Sequence, residues 1–578
     1  MKYLLRIIKY RGITSSKRIA YSIGSLLFLI VISQCFSSMV LAQAQLGEDI
    51  DGEAADDLSG YSVSLSANGQ RLAIGAPFSD DNGDNSGHVR VYQWSDTGWA
   101  QLGADIAGEA ANDVSGGAVS LSADGQRLAI GASGNDGNED SSGHVRVYQW
   151  SDTGWAQLGA DIDGKAANDH LGIAVSMSAD GNRLAISANA DDETWYKIGL
   201  VRVYQWMNAE WVQLGADIQG EQEFDYFGAG VSLSADGKRL AAGAVQNDGI
   251  NGSWSGHARA YHWTGTDWVQ LGTDIDGEAA VDHSGDAVSL SADGNRLAIG
   301  AIMNDGGGEN SGHARVYQWV NEDWMQLGAD LDGEAAFDFF GSAVSMSADG
   351  SRLTIGAYGS DDNAGRVTVF EWSGTAWVQL GTGIVGEVEG DESGDSISLS
   401  SNGNRVAIGA FRNDGNGMDS GHVRIYDLSM FNVFRINAGL NDAWYNPMTS
   451  GQGFFITVFP ELGKVSLAWF TYDTELPPVD ATANLGDPGH RWLTAVGPID
   501  GNKSVMEIEM TSGGLFDATT IIERTNPPGS DGTIILTFDS CNSGTIEYDI
   551  PPIGRQGLIP IKRVANDNIV LCEALSVD

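Results

Sequence analysis

Seven copies of one four-segment unit, a spare fourth segment ahead of the first copy, and a change of pattern near residue 430 predict an all-β protein. The expected architecture is a seven-bladed β-propeller closed by its N-terminal strand, followed by an antiparallel β-barrel or β-sandwich. Each unit opens on a Val-Ser-Leu-Ser-Ala-Asp-Gly-like segment, beginning at Val63, Val119, Val175, Val231, Val288, Val344 and Ile397. An Arg-Leu-Ala-Ile-Gly-Ala-like segment follows, from Arg71 in the first copy to Arg405 in the last, and then a Val-Arg-Val-Tyr-like segment, from Val89 to Val423. The unit closes on Trp-x-Gln-Leu-Gly at Trp99, Trp155, Trp211, Trp268, Trp324 and Trp377, spaced by 56, 56, 57, 56 and 53 residues. These segments are short, alternating or β-branched, and bounded by Gly, Asp, Asn or Ser, the pattern of strands and tight turns. No 3.6-residue period is sustained, which excludes helical solenoids.

Residues 1–44 read as an export signal. A basic stretch ends at Arg18, the apolar run is densest over residues 26–32, and Ala42-Gln43-Ala44 offers a small-x-small cleavage site. The competing reading is an uncleaved anchor, against which Ser33, Gln34, Ser37 and Ser38 interrupt the apolar run well short of ~20 residues. Gln34 ahead of Cys35 lacks the small residue of a lipoprotein site. The chain carries 32 Lys+Arg against 77 Asp+Glu, a net charge of −45, and its first 44 residues hold basic residues but no acid. The exported part is therefore more acidic still, which excludes nucleic acid and, once the signal is cleaved, anionic membrane surfaces as partners.

The closing strand follows from counting. The first three segments occur seven times, the fourth follows only six of them, and the spare one is Gln45-Leu46-Gly47-Glu48-Asp49-Ile50. A propeller spanning 45–428 whose last blade borrows this strand leaves no open edge. Within each blade the second link is long and acidic, and the blade-to-blade connection, on the same face, carries Asp-x-x-Gly at Asp57, Asp113, Asp169, Asp225, Asp282, Asp338 and Asp391. The Asp is expected to cap its own turn, with Gly permitting the bend.

Tyr226-Phe227-Gly228 and Phe339-Phe340-Gly341 ahead of the first strand, with Gly75-Ala76-Pro77 after the second, resemble the FG-GAP repeats of integrin α-subunits and their bacterial relatives. That resemblance implies the propeller and leaves the function open, since propellers host binding, scaffolding and catalysis alike. Integrin-type repeats carry Ca²⁺ loops between their first and second strands, where this chain has only a tight turn, so those ligand positions do not transfer. Asp-x-Asn-x-Asp instead occurs in the second links, at Asp80, Asn82 and Asp84 and at Asp136, Asn138 and Asp140. Such oxygens at positions 1, 3 and 5 are candidate Ca²⁺ ligands, set against a solvated acidic turn because neither loop supplies a Glu at position 12.

Five Gly-His pairs, at His88, His144, His257, His313 and His422, fall one per blade and so cannot gather as tetrahedral zinc ligands; a hydrogen bond between blade strands is the expected role. The repeated tryptophans are expected between blades. No Gly-x-Ser-x-Gly elbow, Walker loop or His-Glu-x-x-His occurs. Blade 3 deviates most, with residues 191–197 replacing the Asn-Asp-Gly loop, and Asp192, Trp195 and Tyr196 are its candidate ligand contacts.

Residues 431–578 form the second domain, with strand-like runs such as 454–458, 465–470 and 533–538. Ala443-Trp444-Tyr445-Asn446-Pro447 and Gly451-Gln452-Gly453-Phe454-Phe455 resemble a module of other exported bacterial proteins. Trp444, Tyr445, Trp469, Tyr472 and Trp492 are either core or a carbohydrate platform. Cys541 and Cys572, the two cysteines beyond the signal, read as one disulfide in an oxidising compartment, the alternative being two buried thiols. The sequence thus favours a secreted or periplasmic, non-enzymatic recognition or adhesion protein. Its acidic propeller face would engage an extracellular protein or glycan, with Ca²⁺ as the candidate cofactor. The alternative is a carbohydrate-active propeller enzyme, a glycoside hydrolase or lyase, marked by two carboxylates in an axial cleft.

Overall fold

The structure is a computed structural model describing residues 44–189, 198–429, 436–448, 453–472, 490–509, 511–512, 523–524, 531–565, 568–569 and 571–572. Residues 1–43 of the expected signal segment and the blade 3 candidates Asp192, Trp195 and Tyr196 lie outside the described residues, while Ala44, the last residue of that segment, pairs in blade 7. Among those described, no helix is long and apolar enough to cross a membrane.

Residues 44–428 form seven antiparallel sheets. Blade 1 runs Ser62–Leu65, Arg71–Ala76, His88–Ser95 and Gly98–Gln101, with Ile106–Ala107 also pairing with the third strand. Its register sets Val63 opposite Ile74, Ala73 opposite Val91 and Trp94 opposite Trp99. The seventh blade has only Ser396–Leu399, Arg405–Ala410 and His422–Asp427 from its own repeat. Its outer position is filled by Ala44–Gln45, pairing with Asp427 and Tyr426, and by Ile50–Asp51, pairing with Val423 and His422. The N-terminal strand therefore closes the ring.

The small, alternating apolar residues of the repeat place the core between blades. Leu72 and Ile74 of blade 1 pack with Ala407, Val423 and Ile425 of blade 7, and the same sandwich recurs around the disc. Each closing tryptophan fills the outer part of such a gap and donates its indole N–H to a leucine carbonyl of the preceding blade, Trp99 to Leu46 and Trp155 to Leu102.

Three bond series run completely round the disc, and two of them explain why the repeat keeps its Ser and Arg. A serine Oγ in each first strand accepts the N–H of a first-strand residue in the next blade, at 2.9–3.1 Å, from Ser64 and Leu121 to Ser398 and Leu65. At the first turn, backbone N–H groups bond the next blade's carbonyl at 2.8–2.9 Å, from Ala67 to Ala123 and finally from Ser401 back to Ala67. The arginine that opens each second strand donates to a turn glycine carbonyl of the next blade at 2.7–2.9 Å, Arg71 to Gly125 and Arg405 to Gly69. Gly69 sits at φ +63°, and a Cβ there would lie 2.7 Å from the Arg405 side chain, so both the turn and the arginine require glycine.

The C-terminal domain is a closed eight-stranded barrel built from Asp442–Tyr445, Gly453–Phe459, Lys464–Tyr472, His490–Pro498, Lys503–Glu509, Thr533–Ser540, Ser543–Ile550 and Arg555–Arg563. Trp444, Phe454 and Phe538 are fully buried and Trp469 is buried in the same core, which removes Trp444 and Trp469 from any carbohydrate platform. Tyr445 is exposed. Cys541 and Cys572 are joined in a disulfide with their Cα atoms 5.7 Å apart.

Candidate functional site

The long second links and the blade-to-blade connectors meet on one face of the disc. They are zipped by short parallel bridges, Gly87 to Ser115 and Gly143 to Leu171 among them. In every connector the Asp of Asp-x-x-Gly is buried, and its carboxylate accepts backbone N–H groups of its own turn: Asp113 from Glu109 and Ala110, Asp282 from Glu278 and Ala279. The residue after that Asp is left-handed in all seven blades, at φ 50–55° for Leu58, Val114, His170, Tyr226, His283, Phe339 and Glu392. β-Branched and aromatic residues resist this conformation, so tertiary bonds must hold it; the Val114 N–H donates to Asn85 O and the His283 N–H to Trp254 O.

The second links use their acidic pattern for the same purpose. Asp80 Oδ1 accepts the Asn85 N–H at 2.8 Å and Asp136 Oδ1 the Ser141 N–H at 2.7 Å. Asn82 donates its amide to the carbonyls of Gly108 and Glu109, and Asn138 to that of Gly164, pegging each loop to the following connector. Asp84 and Asp140 are exposed. Blade 7 makes the same two bonds through Asp414 and Asn416 with Met418 at the fifth position, so the first and third residues have a role in the loop that needs no acid at the fifth. Among the described residues, none of the groupings of His, Cys, Asp or Glu ligand atoms within 4.8 Å of one another contains Asp80, Asp84, Asp136 or Asp140.

One cavity of about 680 Å³ opens on this face at the closure seam, where the N-terminal strand joins blade 7. Seven carboxylates line it, from Asp49, Asp51, Glu387, Glu389, Asp391, Asp414 and Asp419, with Arg412 and His422 as the basic groups. Val388 and Met418 stand largely exposed at its rim. Arg424 lies 3.4 Å from Glu387, and Arg412 pairs at 3.3 Å with Glu392, which does not line the cavity, so most of this charge is left unopposed.

The histidines do not take the role expected of them. All five rings are buried, 1% exposed, and the Nε2 atom of each lacks a hydrogen-bond partner. His88 alone has a bond at Nδ1, 2.8 Å from Asp81 Oδ2, within its own blade and not across strands of two blades. Burial pushes His144, His257 and His422 below the usual imidazole range and takes His313 down to about 4, so these rings are neutral at neutral pH.

A second feature lies at the axis, where the first strands of all seven blades touch in a closed ring. The position after the connector glycine holds Tyr61, Gly117, Ile173, Ala229, Asp286, Ser342 and Asp395 in turn, so two acids stand in an otherwise uncharged set. Burial raises Asp286 to about 6, and burial with the charges of Asp286 and Glu392 raises Asp395 to about 7. The same acids, after burial, help push Tyr358 up to about 12. Superposing the seven copies of the sequence at this one position reveals the pair, a signal that reading each motif singly passes over.

Residues 50–92 match the family model of the FG-GAP repeat. The chain has no match among curated proteins. Among solved structures it is similar to the Kuenenia stuttgartiensis hydrazine synthase, at 15% identity and a TM-score of 0.42 over 63% of this chain and 94% of that one. It is also similar to the Pseudomonas aeruginosa periplasmic gluconolactonase PpgL, at 17% identity and a TM-score of 0.39 over 57% and 86%. The Dos1 propeller matches at 11% identity and a TM-score of 0.37 over 66% and 95%. None of these activities is carried over to this chain.

Proposed function

From the premise that the chain is an FG-GAP repeat β-propeller protein, we propose that it is an exported, non-enzymatic recognition or adhesion protein. Its acidic loop face binds a positively charged part of an extracellular or periplasmic protein or glycan. The observation that carries this reading is the seam cavity, where seven carboxylates surround a space of about 680 Å³ with Val388 and Met418 at its rim. Such a site suits a Lys or Arg side chain, whose cation meets the acids while its methylene stem covers the apolar rim. The exposed pair Glu387 and Glu389 tests it. Binding of an immobilised oligolysine peptide and of a chitosan oligomer is measured against the purified protein and its Glu387→Gln/Glu389→Gln variant. Affinity for one probe should fall about tenfold or more in the variant, and should weaken with salt in the parent. Equal affinity in parent and variant would remove the cavity from the function.

A second reading rests on the axial pair. Asp286 and Asp395, both held toward the protonated state, are the kind of carboxyls a glycosidase divides into acid and base or nucleophile. Screening the protein on neutral and acidic polysaccharides, with Asp395→Asn as the control, decides it. Sugar release that the variant abolishes would favour the enzyme, and none from either would leave recognition.

A further inference from the structure

Each buried histidine opens the third strand of its blade and meets acids from other segments: typically a glutamate in the connector entering the blade and an aspartate just after the fourth strand. In blade 5 these are Glu278, His313 and Asp330, with ligand atoms all within 4.8 Å of one another. Neither ring nitrogen of His313 has a hydrogen-bond partner, and its Nδ1 points at carboxylates, 3.9 Å from Glu278 and 4.0 Å from Asp332. In the seam cavity Asp49, Asp51 and His422 form a group of the same size, with His422 Nδ1 3.9 Å from Asp49 Oδ2 and Nε2 unpaired. A fully buried imidazole without a hydrogen-bond partner, facing two carboxylates too distant to bond it, is disposed as the ligands of one shared cation are.

The blades without histidine support this. Blade 3 has Leu200 in its place, and there the glutamate is also replaced, by Lys165, whose ammonium lies 3.0 Å from Asp217. Blade 6 has Arg366 in its place, and there the aspartate is also replaced, by Gly383. Where the ring is lost one carboxylate is lost with it, and a fixed cation takes the position. In blade 4 Arg259 bonds both acids of its group, Asp274 and Glu221, whereas in blade 5 the equivalent Arg315 reaches Glu278 alone, at 3.4 Å.

We propose that Glu278, His313 and Asp330 hold a divalent transition-metal ion, and that Asp49, Asp51 and His422 hold a second. One imidazole nitrogen with two carboxylates suits Zn²⁺ or Mn²⁺, whereas Ca²⁺ asks for six to eight oxygens. Both sites go beyond the recognition reading; an ion in blade 7 would sit in the wall of the cavity, occupy two of its seven carboxylates and leave the other five to meet a basic ligand.

Blade 3 supplies the variant, because leucine at this position is already part of the fold. Metal-stripped parent, His313→Leu and His422→Leu proteins are equilibrated separately with Zn²⁺, Mn²⁺ and Ca²⁺, and bound metal is counted by mass spectrometry after desalting, with circular dichroism to verify folding. The expected result is one equivalent of Zn²⁺ or Mn²⁺ lost in each variant and Ca²⁺ content unchanged. Folded variants that keep the parent's Zn²⁺ and Mn²⁺ content would overturn the proposal, as would a parent that retains Ca²⁺ alone. Oligolysine binding by the His313→Leu protein, which that substitution should leave intact, separates failure of the metal sites from failure of the recognition reading.

Discussion

The two faces of the propeller are built from the same repeats yet obey different rules. On the tight-turn side every blade repeats its neighbour: serine, turn backbone and arginine each bond to the next blade in an unbroken ring of seven. On the loop side the same bonding logic holds the connectors, but what fills the loops differs from blade to blade. Blade 6 has a fixed cation at the histidine position, blade 7 a cavity, and the axis two acids among seven positions. Residues that close the ring cannot vary one blade at a time, whereas residues that only face solvent or a ligand can. Uniformity therefore marks the scaffold, and departure from it marks where a specific chemistry is built.

The largest expected effect tests the scaffold. Deleting residues 44–51 removes both strands that complete blade 7, takes the core residue Ile50 with them and exposes its partners Val423 and Ile425. Thermal unfolding should then start more than 10 °C lower, a loss of several kcal/mol, while trimming residues 573–578 should leave it nearly unchanged. Equal melting temperatures for the two truncations would mean that the seam does not hold the ring.

A smaller effect is expected at the axis. Asp395 and Asp286 keep their protons in the folded state up to about pH 7 and about pH 6, whereas the unfolded carboxyls lose theirs near pH 3.8. Their contribution is therefore fully present below pH 3.8 and is lost as the pH rises to about 7. Asp395→Asn should raise stability at pH 8 by about 2–4 kcal/mol and leave it unchanged at pH 4. A variant with the parent's stability at both values would return Asp395 to the ordinary carboxylate range.

The smallest pair sets one face against the other. Ser398→Ala leaves the Leu65 N–H without its acceptor and should cost about 1–2 kcal/mol in denaturant unfolding. Asp84→Ala, an exposed change on the loop face, should stay within about 0.5 kcal/mol. If the loop substitution costs as much as the ring substitution, the two faces do not differ in the way described.

Most of the fold was legible because repetition does the averaging that an isolated segment lacks. Counting fourth strands located the closing Gln45–Ile50 segment, and Asp-x-x-Gly announced a self-capped turn before any coordinates. The site was less legible for a physical reason. Glu278, His313 and Asp330 come from a connector, a strand start and a strand exit within one blade, and each recurs so regularly that it reads as scaffold. Looking for histidines that meet one another across blades hid the partners each one has inside its own. The Asp-x-Asn-x-Asp pattern is ambiguous for a related reason. Asn82 and Asp80 resemble ligands in sequence, but they bond the loop to itself and to the next connector.

The three closed rings also limit how such a protein can change over time. Adding or losing one repeat would open all three circuits at once, and each could close again only if the angle between every pair of neighbouring blades changed with it. Loop sequences face no such constraint. A lineage carrying this scaffold should therefore hold its number of blades more constant than the sequences its loops present.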